Sequence, residues 1–295
     1  MSTPPAPLDH FATHPELPAG LEPRRWPRWP PWASLAAFVA GAAGTLVGAS
    51  IIGALAVVAF NAKVDSPGVT IVGSVVQDMC LIAAALVFAR MVDRPSPAQF
   101  GLRPTPLRRA VLLALGTWAA FFVFTGIWTA IWSALSGHTP SNDEALQGLG
   151  VDRSTAAMLG AAFLVSVVAP IGEEFFFRGF FYGALRNWRG PWPAAVLTGL
   201  VFGIVHFSSS NAAFLVPLAF FGFGLCVLYE RTGSLYPGIG LHCANNCVAF
   251  GASMKWSWQI PVLFVCALGT IALLALAAQR VWSQRPPAPA PAAAA

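Results

Sequence analysis

Charged residues are scarce in this sequence: Asp, Glu, Lys and Arg make up 10% of its 295 residues, against 56% hydrophobic ones. A soluble domain carries about a quarter charged residues, so a conventional water-soluble fold is excluded. The 17 basic residues outnumber the 12 acidic ones for a net charge of +5. They form no patch of the kind a phosphate backbone needs, which excludes nucleic acid as a partner. Cysteine is sparse too. Cys80, Cys226, Cys243, Cys247 and Cys266 fall inside apolar segments and build no disulfide framework. The first 32 residues lack the short apolar core and small-residue cleavage site of a signal peptide.

What is present is length without charge. Trp29–Ala62, Ala110–Asn142, Gly190–Tyr229, Thr232–Met254 and Trp256–Gln279 contain no Asp, Glu, Lys or Arg. Each is long enough to cross about 30 Å of hydrocarbon at about 1.5 Å per helical residue, and the third is long enough to cross twice. The pattern predicts an all-α, polytopic membrane protein with about eight transmembrane helices, over 33–60, 68–90, 107–136, 155–187, 192–208, 212–230, 236–253 and 258–281. With both termini cytoplasmic, thirteen of the 17 basic residues collect on that side. Only Lys63, Arg153 and Lys255 fall on the other, an asymmetry that predicts a multi-pass protein of the cell membrane in this orientation.

Four segments follow: a disordered cytoplasmic tail over 1–32, whose tryptophans rest at the bilayer interface; N-terminal transmembrane helices over 33–149; a chemistry-bearing domain over 150–282; and a disordered Pro/Ala tail over 283–295.

An ionisable side chain inside a bilayer costs several kcal/mol unless it is paired or faces a wet cavity. Those inside the spans are few: Asp78, Glu173, Glu174, Arg178, His206 and His242, with the neutral Asn246 alongside. Glu174 and Arg178 stand at i and i+4, a spacing that lets them pair on one helix face. Glu173 points about 100° away and lacks that partner. Pro170 is expected to kink the helix just before the two acids.

Glu173 lies about 16 residues before the turn at 188–193 and His206 about 15 after it, so the two reach similar depth. The pairs Gly179/Gly183 and Gly199/Gly203 flank that turn as small-residue faces expected to pack these two helices together. His242 and Asn246, again i and i+4, form a pair able to hold an oxyanion. Simple counting leaves His242 only about 9 Å inside its own helix, shallower than the others unless helices four and five protrude.

Such a constellation suits water activation and attack on an amide carbonyl. Asp78, with Gln77, sits in the second span outside these groupings and reads as an interhelical or capping group before a proton carrier. Cys243 and Cys247 read as small apolar fillers before a metal or redox pair. The phenylalanines at 175–177 and 180–181 read as lipid-facing or packing groups.

Glu173-Glu174-Phe-Phe-Phe-Arg178, Phe202-Gly-Ile-Val-His206 and His242-Cys-Ala-Asn-Asn246 together resemble the three ordered motifs of the CPBP family, which contains CAAX prenyl endopeptidases and bacteriocin-processing or immunity-type intramembrane proteases. The resemblance covers about residues 150–255. It implies an intramembrane endopeptidase acting near the cytoplasmic face on a membrane-associated or prenylated, CAAX-like peptide. Glu173 would be the general base, His206, His242 and Asn246 the rest of the catalytic set, and Glu174 with Arg178 a supporting pair. The partners implied are a peptide or protein substrate in the membrane and the lipid bilayer itself.

The preferred reading requires no cofactor. Zinc, if bound, would take Glu173, His206 and His242, although no His-Glu-x-x-His motif is present. Two other readings stand beside the protease: a non-proteolytic scaffold or immunity protein, and a proton-coupled transporter, against which the lack of two matching halves with broken helices counts.

Overall fold

The computed structural model describes residues 26–141 and 143–283. Of the expected tails over 1–32 and 283–295, residues 1–25 and 284–295 lie outside the described residues. Every regular element among the described residues is helical. Eight long helices follow in chain order: α1 Pro31–Phe60, α2 Pro67–Arg90, α3 Leu107–Ser136, α4 Thr155–Arg189, α5 Pro191–Val205, α6 Leu215–Thr232, α7 Tyr236–Ser253 and α8 Gln259–Ser283. A short helix, Asp143–Gly148, precedes α4.

Prolines at the first turn open α1, α2, α5 and α7, where a missing N–H costs nothing. Ser154 caps α4 by accepting from Ala157 N at 3.1 Å. Gly190, at φ 83°, breaks the chain between α4 and α5 in a conformation that disfavours a side chain.

Six of the eight helices are long and apolar enough to cross a membrane. Of the others, α5 has 15 residues and spans about 22 Å, and α7 is long enough at 18 but carries His242, Asn245 and Asn246.

α4 is the central rod, and α1, α2, α5, α6, α7 and α8 all pack on it. Its phenylalanines Phe176, Phe177, Phe180 and Phe181 are buried, so the aromatic run is packing and not a lipid face. α3 leans on α6 through Phe121–Phe221 and the stacked Phe124–Phe220 pair, with ring centroids 4.7 and 4.2 Å apart.

The small-residue faces do not meet each other as their mirror spacing suggests. A Cβ on Gly199 would come 2.6 Å from Ala219 O, and one on Gly203 2.6 Å from Leu215 O, so both glycines seat α5 on α6. Gly179 instead lies under Phe100 O, and Gly183 under the ring of Trp29. Close packing was legible in the stripe, but the identity of the neighbour was not, because a small residue says only how near a backbone can come.

Gly203→Val drives a branched side chain into the α6 backbone three residues before His206. It is expected to cost about 2 kcal/mol, seen as a lowered Tm in detergent. An unchanged Tm would contradict the contact.

Residues 26–30, which lead into α1, are packed against the bundle and are not an interfacial tail. Trp29 is buried between Phe100 and Phe180, with both centroid separations 4.9 Å. Trp26 lies under the Arg186 guanidinium at 4.0 Å and edge-on to Tyr182 and Tyr229. Asn187 Nδ2 donates to Pro27 O and Trp29 O. Room left by Gly183 and a ready cation let these large rings gain more inside than at an interface.

The depth mismatch of His242 also resolves. Leu235, just before α7, touches Gly179, and its N–H donates to Gly101 O at 2.8 Å. α7 thus begins level with residue 179, about 15 Å short of the end of α4 at Arg189, and α4 and α5 project beyond it.

Candidate active site

The middle of α4 is not regular α-helix. Leu164–Val168 and Glu174–Tyr182 are π-helical, on either side of Ala169–Glu173. In the first wide turn Ala169 N–H donates to Leu164 O, five residues back. The next donor in that register is residue 170, a proline, so Val165 O has no backbone partner within the helix. Asn246 of α7 supplies one, its Nδ2 donating to Val165 O at 2.9 Å. A missing N–H in one helix thus fixes the side chain of another.

Two adjacent acids leave this segment in different surroundings. Glu174 is fully buried, and its Oε1 accepts from Arg178 Nη1 at 2.7 Å and from His242 Nδ1 at 3.0 Å. Arg178, also fully buried, donates from Nη2 to Gly222 O at 3.0 Å and lies 4.5 Å over the Phe202 ring. One ion pair therefore joins α4, α5, α6 and α7. Gly238 makes room for it, since a Cβ there would come 2.8 Å from Glu174 Oε2.

Glu173 faces the other way. Its Oε2 is buried without a hydrogen bond and stands 3.9 Å from His206 Nε2 and 3.9 Å from His242 Nε2.

Hydrogen bonding fixes what those rings present. His206 Nδ1 lies 2.7 Å from Phe202 O, and a carbonyl only accepts, so Nδ1 carries the proton. His242 Nδ1 likewise donates to the Glu174 carboxylate. As neutral rings both turn a bare Nε2 toward Glu173, and three acceptors converge on one point. A water molecule meets two of these acceptors at a time with its two O–H bonds, and an oxygen about 2.8 Å from each of two groups fits between groups 3.9 Å apart. Glu174 behind His242 is placed to stabilise that imidazole should it gain a proton.

The structure thus brings Glu173, His206 and His242 together as the sequence predicts, and forms the Glu174–Arg178 pair. Glu174 has a further task the spacing did not reveal, that of orienting His242. Asn246 commits one N–H to Val165 O, leaving its second for other partners. Asn245, not singled out from sequence, accepts from the Trp118 indole at 3.4 Å and ties α3 to α7. Cys243 and Cys247 are buried free thiols in a seam with Val167 and Ala267.

The zinc set has suitable donor types, but ligands at about 2.1 Å on a tetrahedral ion stand about 3.4 Å apart. Both Glu173–histidine separations exceed that. Among the described residues no three His, Cys, Asp or Glu form a metal-holding group. As placed, these residues do not fit the ion.

Two curated proteins of Bacillus subtilis (strain 168) are similar to this chain. "Uncharacterized protein YyaK" is 31% identical over 121 residues, 38% of this chain and 40% of that protein. "Putative membrane peptidase YdiL" is 33% identical over 81 residues, 28% and 32% of the two chains. This chain therefore spans less than half the length of either relative. No solved structure matches. Residues 155–248, the stretch that holds Glu173, Glu174, Arg178, His206, His242 and Asn246, match the family described as type II CAAX prenyl endopeptidase Rce1-like.

Proposed function

We propose that the protein is an intramembrane endopeptidase that hydrolyses a peptide bond of a membrane-associated or prenylated, CAAX-like peptide near the cytoplasmic face of the cell membrane, with both chain ends in the cytoplasm. The observation that carries this reading is the unpartnered Glu173 Oε2 facing two imidazoles.

Glu173 takes a proton from water as the water oxygen bonds to the carbonyl carbon, and the carbonyl π electrons move to oxygen. The other O–H of the water donates to an imidazole Nε2, of His206 or of His242, which holds the water beforehand. The second N–H of Asn246 then steadies the oxyanion, while His242, oriented by the Glu174 carboxylate, keeps its acceptor Nε2 toward the remaining O–H of the attacking oxygen. Collapse breaks the C–N bond, and Glu173 returns its proton to the leaving amine. No step needs a metal.

The test uses purified protein in liposomes, a farnesylated peptide ending in a CAAX sequence, and mass spectrometry in ¹⁸O water. The expected product is the released C-terminal tripeptide, with one ¹⁸O in the newly formed carboxylate of the prenylated fragment. Turnover is expected to survive prolonged dialysis against a strong chelator. Loss on dialysis with recovery on adding zinc would overturn the metal-free mechanism. Absence of cleavage, together with proton flux that depends on Glu173, would favour the transporter.

A further inference from the structure

Trp118, Trp128 and Trp132 stand on α3, a helix outside the residues that match the endopeptidase family. An indole N–H in apolar surroundings needs an acceptor, and two of these three find one on the supports of the site. Trp128 Nε1 donates to Ala213 O at 2.7 Å, and Trp118 Nε1 to Asn245 Oδ1 at 3.4 Å. Trp132 Nε1 is buried and has no partner among the described residues.

Ala213 O is open to Trp128 for a physical reason. In a regular helix it would accept from the N–H four residues on, and residue 217 is a proline. Ala213 in turn belongs to the loop that carries His206. That histidine caps the end of α5, beyond the last helical residue, Val205, where the helix no longer holds it from both sides. Two turns join it to α6. Ser209 N–H donates to His206 O at 3.0 Å, Phe214 N–H to Asn211 O at 2.9 Å, and Ala213 N–H to Asn211 Oδ1 at 3.0 Å. Trp128 fastens this tied loop to α3. Asn245 lies three residues past His242 on α7, so Trp118 fastens the helix of the second imidazole. Between the two indoles, Phe121 meets Phe221 at 4.7 Å, and Phe221 stands edge-on to His242 at 5.6 Å. One phenylalanine thus separates α3 from the ring of His242.

We propose that Trp128 and Trp118 are positioning residues of this site, whose indole N–H groups hold His206 and His242, each through its own support, 3.9 Å from Glu173. This rests on the peptidase reading and brings α3 into a site otherwise built from α4, α5 and α7.

The experiment compares Trp118→Phe, Trp128→Phe and Trp132→Phe on the farnesylated CAAX peptide in liposomes, with Tm recorded for each. Phe keeps an aromatic ring and removes only the donor. The first two variants are expected to lower kcat about tenfold with KM within about twofold and Tm lower by no more than about 3 °C. Trp132→Phe is expected to retain native kcat. Pro217→Ala offers Ala213 O a donor from its own helix, and added to Trp128→Phe it is expected to restore kcat to within about threefold of native. Native kcat in Trp118→Phe or Trp128→Phe, an equal loss in Trp132→Phe, or no recovery with Pro217→Ala overturns the proposal. So does a loss of kcat that follows a lowered Tm across the variants, the mark of a bond that only ties helices together.

A second measurement reads the ring without turnover. In protein labelled with ¹⁵N-histidine, the His206 ring signal, assigned by its loss in His206→Gln, is expected to shift in Trp128→Phe and to stay in place in Trp132→Phe. An unmoved signal in Trp128→Phe refutes the positioning. Should Trp128→Phe fail to insert, Trp118→Phe and the His242 ring signal carry the same test. Glu173→Gln, run in parallel, separates the two levels: full activity there refutes the peptidase mechanism itself, whereas an unmoved ring signal refutes only the role of the indoles.

Discussion

Glu173→Gln is expected to lower kcat on a farnesylated CAAX peptide by at least about 10³-fold while leaving Tm unchanged or slightly raised. The loss follows from chemistry: an amide has no basic oxygen at pH 7, and a general base contributes about 10² to 10⁴ to rate, about 3–5 kcal/mol of barrier. The stability follows from geometry. Glu173 Oε2 is a buried acceptor facing two further acceptors, the Nε2 atoms of His206 and His242. A Gln NH₂ at that point is a donor aimed at bare ring nitrogens, so the substitution replaces an unpaired acceptor with a donor. Peptide release measured by mass spectrometry beside a thermal melt decides the matter. Cleavage within tenfold of the native rate would remove Glu173 as the base. A large fall in Tm would mean that the three groups are not arranged as described.

The convergence of Glu173, His206 and His242 was legible in the sequence because the bilayer makes it so. Ionisable groups are few in apolar helices, each needs a reason, and equal counts either side of the turn at 188–193 bring the first two to one depth. The partner of Asn246 was not legible from its i, i+4 spacing to His242, since spacing on one helix is blind to the register of another. The clue lay elsewhere, in Pro170, which has no N–H to offer Val165 O in the wide turn that precedes it. The same blindness explains Trp26 and Trp29. A proline-rich, tryptophan-bearing segment before a span reads as interfacial, and nothing local announces that Gly183 leaves a space for an indole. Helix count was legible and helix sufficiency less so: α5 and α7 occur where predicted, but α5 is too short and α7 too polar for either to cross as a conventional span.

Arg178→Met should destabilise the whole bundle, and a second substitution should restore the fold but not the activity. The Arg178 guanidinium is fully buried, pairs with Glu174, donates to Gly222 O on α6 and covers Phe202 on α5. Removing one member of a buried pair strands the other charge in a low dielectric, at a cost of about 3–5 kcal/mol. In a protein of this size that corresponds to a Tm lower by about 10 °C.

Adding Glu174→Gln to Arg178→Met removes the stranded charge, and the double variant is expected to recover most of the lost Tm, a strongly non-additive result for residues in direct contact. Turnover should remain at least about 100-fold down, because His242 Nδ1 then faces an amide in place of the carboxylate that orients and backs it. A double variant that regains both stability and turnover would show that Glu174 serves only to neutralise Arg178. One that regains neither would locate the importance of Arg178 in its bond to Gly222 and its contact with Phe202. Recovery of the fold without the chemistry separates the two duties of one carboxylate, which holds four helices through its arginine and sets a catalytic ring through its histidine.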